Sequence, residues 1–87
     1  MDYMNYILIK HNYSVMRVKQ DTYYIIKNER GTYSELNDYV LEVKLSPDNK
    51  TVLSWTIKEL SINKAVLKGI PKAPISLAQF CEELSAI

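Results

Sequence analysis

Up to about residue 57 the chain reads with a period of two, and its apolar positions are rich in β-branched and aromatic side chains. Successive side chains of a strand point to opposite faces, so this pattern specifies a sheet with one face turned to a core. The clearest case is "YVLEVKL" (39–45), which sets Tyr39, Leu41, Val43 and Leu45 inward and Val40, Glu42 and Lys44 outward. "SPDNK" then turns the chain: Pro47 presets φ, Asp48 and Asn49 are suited to closing a turn, and Asn tolerates the left-handed region. The return strand "TVLSWTI" (51–57) places Leu53, Trp55 and Ile57 on one face, with Trp55 as the largest piece of the core and its indole N–H in need of a partner.

Upstream, "YILIK" (6–10) is apolar on both faces and reads as a central strand. "SVMRVK" (14–19) sets Met16 and Val18 against Arg17 and Lys19, and "TYYIIK" (22–27) again has two apolar faces. Gln20 and Asp21 form the tip of the hairpin between them. "NERG" (28–31) ends the strand with a glycine able to take φ > 0.

The C-terminus switches to helical spacing. Ser76 stands three residues before Gln79, the capping-box interval, with Ile75 and Phe80 at the staple positions. Leu77, Phe80, Cys81, Leu84 and Ile87 then form one apolar stripe, while Gln79, Glu82, Glu83 and Ser85 face water. Residues 58–69 fit either a helix closing at Gly69 or a strand continuation, with Leu60 and Ile62 followed by a second hairpin around Asn63-Lys64 and a return over Ala65 to Leu67. The period-two pattern that precedes them favours strand. "GIPKAP" is an extended link, since each proline biases its predecessor away from α. The expected fold is α+β in a single domain spanning 1–87, β-rich from 5 to 68, linked through 69–75 to a helix over 76–86. An antiparallel sheet of about five strands, strongly twisted or partly closed, packs one C-terminal helix, and Leu8, Ile25, Leu41, Val43 and Trp55 belong to the core.

Composition narrows function by exclusion. The 87 residues carry a net charge of +1, too little for the broad positive field of a non-specific nucleic-acid binder. Charge does segregate: residues 10–27 hold Lys10, Arg17, Lys19 and Lys27 against Asp21, and residues 28–48 hold Glu29, Glu35, Asp38, Glu42 and Asp48 against Arg30 and Lys44. A single cysteine and a single histidine allow neither an internal disulfide nor a His/Cys zinc cluster, so no metal or cofactor is expected. The N-terminal apolar run is far shorter than a signal h-region or a membrane span, which places the chain in the cytoplasm and makes the sequons at Asn12 and Asn49 chance matches.

No catalytic signature is present. Two glycines 38 positions apart cannot cradle a phosphate, and there is no nucleophile elbow, HExxH or calcium loop. His11 reads as a solvated residue at a strand end, Cys81 as core, and the carboxylates Glu82–Glu83 and Asp38–Glu42 as solvated surface. The expectation is a non-enzymatic chain.

Two binding readings remain. "DTYYIIKNERGTYSELNDYV" (21–40) holds four of the seven tyrosines among charged residues. "RGTYSEL" at Arg30 echoes part of an RNA-recognition motif but lacks its second aromatic and following apolar pair, and the strand order lacks the helix that fold needs. The first reading is a protein-binding or inhibitory module with Tyr13 and Tyr33 as contacts, alongside Tyr3 and Tyr6, and Glu29, Glu35 and Asp38 as an acidic rim. The second is a sheet-based nucleic-acid binder using Arg17, Lys19, Lys27 and Tyr23. An edge strand could also pair with its copy in a homodimer. Ile, Lys, Tyr and Asn make up 31 of the 87 residues, a composition typical of AT-rich coding and compatible with a bacteriophage or mobile-element accessory protein.

Overall fold

The computed structural model describes residues 2–11, 13–27, 39–60 and 66–86. Helix α1 (Asp2–Leu8) runs into a 3-10 turn (Ile9–His11) and is followed by strands β1 (Tyr13–Arg17), β2 (Thr22–Lys27), β3 (Tyr39–Leu45) and β4 (Thr51–Leu60). A one-turn helix α2 (Val66–Gly69), a two-residue strand β5 (Ile75–Ser76) and helix α3 (Leu77–Ser85) complete the chain. The five strands form one antiparallel sheet in the order β1-β2-β3-β4-β5. The fold is α+β, as the sequence patterning requires, and the sheet is open rather than closed on itself.

The five strands are not the five expected. Residues 6–10 are helix and 3-10 turn instead of a central strand. Met4 and Leu8 lie a full turn apart and are completely buried, and Ile7 packs against the same core from beside them. That i, i+3, i+4 stripe docks α1 on the sheet and on α3, while Tyr6 and Ile9 remain exposed. The place of the missing strand is taken by Ile75–Ser76, which pairs with Thr51 and Val52 at the far edge. Of residues 58–69, Lys58–Leu60 continue β4 and Val66–Gly69 form a helical turn, so the strand reading of 65–67 fails at Val66 and Leu67. The proposed hairpin tip at Asn63-Lys64 lies outside the described residues.

The β3–β4 hairpin folds through its turn chemistry. Asn49 sits at φ 59°, the left-handed region that asparagine tolerates. The Asp48 carboxylate accepts the Ser46 hydroxyl and the Lys50 N–H (3.1 Å), and the Ser46 hydroxyl oxygen in turn accepts the Thr51 N–H at 3.1 Å. Across this hairpin Val43 pairs with Trp55 and Leu41 with Ile57, but Leu45 pairs with Val52. The register shift between Lys44 and Leu45 inserts one extra residue into β4. Val52 therefore turns inward and is fully buried, while Leu53, expected inside, is pushed out to 50% exposure.

Helix α3 begins as its sequence demands. Ser76 is the N-cap, with its hydroxyl oxygen accepting the Gln79 N–H at 3.2 Å. The Gln79 side chain reaches down the helix to Glu83 (2.9 Å) instead of closing the box. Leu77, Phe80, Cys81 and Leu84 are buried against the sheet. They meet an inner face built from Tyr13, Tyr23, Ile25, Tyr39, Leu41, Val43, Leu45 and Val52, all buried. Trp55 lies only partly inside, its indole N–H donating to the Pro71 carbonyl at 2.8 Å; the bulkiest buried side chains are Tyr13, Tyr23, Tyr39 and Phe80. No helix among the described residues is long and apolar enough to cross a membrane.

Candidate functional site

Both α1 and α3 supply apolar stripes to one face of the sheet, and the other face, among the described residues, is a surface. Its side chains follow from the register. One row runs Ser14, Ile26, Val40, and the next runs Met16, Tyr24, Glu42, Thr56, with Lys44 beside Ser54 beyond it. Met16 is 50% exposed; Tyr24, Ile26, Val40 and Glu42 are half-buried among their neighbours; Ser14, Lys44, Ser54, Thr56 and Lys58 are exposed. The result is an apolar centre of Met16, Tyr24, Ile26 and Val40 crossing three strands, bordered by Glu42, Lys44 and Lys58. The Lys58 ammonium lies 5.8 Å from the centre of the Tyr24 ring, close enough for a cation–π attraction.

Most of the tyrosines expected at a binding surface are elsewhere. Tyr13 is buried: its hydroxyl pairs with that of Tyr39 and lies 2.9 Å from the Leu84 carbonyl, to which it donates, tying β1 and β3 to α3. The two rings meet edge to face at 6.1 Å. Tyr13 is therefore a core residue and not a partner contact. Tyr23 is buried too, and Tyr24, its neighbour, takes the outward position because adjacent strand residues must face opposite ways. Tyr6 is exposed, with the Lys10 ammonium 5.0 Å from its ring. Tyr33, Glu29, Glu35 and Asp38 fall outside the described residues, as does the side chain of Tyr3.

The basic set is likewise dispersed. Lys27 points inward, only 6% exposed, with its ammonium 4.5 Å from the Tyr13 ring centre and donating to the His11 carbonyl at 3.2 Å. It cannot reach a phosphate from there. Arg17 is exposed, yet its guanidinium folds back to donate to the Lys19 carbonyl (3.2 Å) and the Gln20 carbonyl (3.1 Å), lying over the Tyr23 ring at 6.0 Å. Lys19 is exposed near the tip of the first hairpin. Of the four residues named for nucleic-acid contact, two are thus buried. The outward set that period-two logic would have given, Tyr24 with Lys44 and Lys58, was available from the alternation within β2, β3 and β4.

Among the described residues no three His, Cys, Asp or Glu side chains lie together as metal ligands. Cys81 is buried in the stripe of α3, and burial pushes its thiol up to about 12, far from a reactive thiolate at neutral pH. Asp48 has its carboxyl held below the ordinary value by the Ser46 hydroxyl first and the Lys50 N–H second, a turn-building role in open solvent. Compared with known proteins, the chain matches no family model, no curated protein and no solved structure.

Proposed function

We propose that this chain is a small, non-enzymatic protein-binding or inhibitory module, acting in the cytoplasm by covering part of a partner protein's surface. The observation that carries this reading is the open sheet face. Met16, Tyr24, Ile26 and Val40 present a contiguous apolar centre on a rigid three-strand platform, with charges at its border. An apolar centre with a polar rim is the anatomy of a protein interface, and tyrosine and methionine are among the residues enriched there. Glu29, Glu35, Asp38 and Tyr33, in the sequence between β2 and β3, are the further contacts that the sequence offers to such a partner. The AT-rich residue usage supports the finer suggestion that the partner is a host protein bound by a bacteriophage or mobile-element accessory factor.

A second reading has one specific observation in its favour. Tyr24 and the lysines at positions 44 and 58 share the same face, the combination a single-stranded nucleic acid uses for stacking and phosphate contact. The half-buried Glu42 between them weighs against it.

A tagged chain used to capture partners from lysate, with and without nuclease, separates the two. Under the first reading a protein stays bound after nuclease and is lost with Ile26→Lys and Val40→Lys, while both variants remain folded. Recovery that vanishes with nuclease, and that weakens steeply with added salt, replaces it with the second.

A further inference from the structure

Among the described strands the first is an edge, and its backbone groups turn outward in a definite pattern. The Val18 N–H donates to the Thr22 carbonyl at 3.0 Å, and the Leu45 N–H donates to the Asp21 carbonyl at 2.8 Å. Antiparallel ladders alternate, so these two bonds assign the even positions of β2 to β1 and its odd positions to β3. On β1, Ser14 and Met16 then bond to β2, and the N–H and C=O groups of Val15 and Arg17 point away from the sheet. Among the described strands β1 pairs with β2 alone.

Natural edges of this kind are normally guarded by proline, lysine, a bulge or an inward charge. "YSVMR" has no proline and no lysine, and its pairing with β2 shows no register shift. Its one charge, Arg17, is drawn back onto the carbonyls of Lys19 and Gln20. The surface around the edge is apolar instead. Of the five large hydrophobic side chains exposed among the described residues, four (Tyr6, Ile9, Met16 and Val18) come from α1, the 3-10 turn and β1 with its extension, and both helical pieces contact β1.

We propose that two copies of this chain join edge to edge through β1, antiparallel, around a two-fold axis at Met16, to make one continuous sheet. The occupant is a second copy because the open groups are self-complementary. An axis at Met16 sets Val15 opposite the copy's Arg17, and Arg17 opposite its Val15, so the outward N–H and C=O groups of both residues are satisfied in both chains. Met16 meets its own equivalent on the open face, and Val18 faces Ser14. The stem of Arg17 runs along the copy's half-buried Val15. A ladder this short buries less than a standard interface by itself, and the exposed Met16 and Val18 side chains add to it. The two open faces become one platform twice as wide.

Met16→Cys tests this directly. Opposed residues at a non-hydrogen-bonded position stand about 4.5 Å apart at Cα, within the disulfide range. Cys81 is buried and its thiol is held protonated, so it does not compete. Under mild oxidation the full chain carrying Met16→Cys is expected to convert to a 16–16 disulfide-linked dimer much faster than Ser54→Cys, whose exposed residue lies three strands away. Sedimentation of the unsubstituted chain should show twice the monomer mass. Val15→Pro should return it to monomer, because that N–H has no ladder partner among the described strands and proline is accepted on an edge. A monomer at every concentration, or a dimer in which Met16→Cys links no faster than Ser54→Cys, overturns the proposal; this holds whatever Val15→Pro does to folding.

Discussion

Lys27 occupies the position its side chain least favours. It sits on the inner face between Tyr13 and Tyr39, with a ring and a backbone carbonyl in place of water. A buried cation is costly unless well compensated, and replacing it by an apolar side chain of similar length is often neutral or favourable. Lys27→Met should therefore leave stability unchanged or raise it by about 1 kcal/mol, whereas Lys27→Ala, which also removes the packed stem, should lose about 1–2 kcal/mol. Urea unfolding of the two variants checks the pair; a loss of several kcal/mol in Lys27→Met would mean that the charge itself holds this corner together. The Tyr13 hydroxyl does carry structure, since it joins two strands and the last helix, and Tyr13→Phe should lose about 1–2 kcal/mol in the same assay. The burial of Lys27 was legible in the alternation Tyr23, Ile25, Lys27, which puts all three on one face. Its charge argued for the surface, and parity prevailed because β2 is an inner strand whose phase is set by Ile25 and Tyr23.

At the scale of elements, the sequence was most legible where local chemistry and tertiary packing agree. The hairpin through Asn49 and the N-cap at Ser76 are both built by side chains that bond their own backbone, so no distant contact has to be known. Ser76→Ala should cost about 1 kcal/mol, read as a lower unfolding midpoint with the same urea dependence. The turn also makes a pH prediction. Because the Ser46 hydroxyl and the Lys50 N–H hold the carboxyl of Asp48 below its ordinary value, the charged form is favoured in the fold, so its contribution is present above the ordinary value and is lost as pH falls through the lowered one. The stability gap between the native chain and Asp48→Asn should accordingly be widest at neutral pH and close on acidification; a gap independent of pH would exclude the carboxylate as its source. Residues 6–10 depart from the strand expectation for a physical reason. Four consecutive apolar residues, Tyr6 to Ile9, satisfy helix and strand alike, and only the partners decide: Met4 and Leu8 find α3 and the sheet when spaced by a helical turn. The bulge that exchanges Leu53 for Val52 has no local signal either, since it arises from fitting two twisted strands together.

For the whole molecule the decisive property is that one sheet has two unlike faces. The strands read as apolar on both sides in "TYYIIK", and among the described residues the helical stripes of α1 and α3 are both spent on the inner face. Ile25 and Ile26 are the sharpest probe of what this leaves. They are the same residue type, adjacent in one inner strand, with equal backbone demands, and they differ only in the face they occupy: Ile25 is fully buried and Ile26 is half-buried on the open side. Truncating a core isoleucine removes its transfer energy and leaves a cavity, so Ile25→Ala should lose about 2–5 kcal/mol. Ile26→Ala opens no enclosed cavity and should lose about 1 kcal/mol or less. Measured side by side at low protein concentration, a wide difference means that the outer face is uncovered in solution and that its apolar centre is available to a partner. Equal losses would mean that something packs over Ile26 in the isolated chain, and the surface on which the binding reading rests would be internal structure instead.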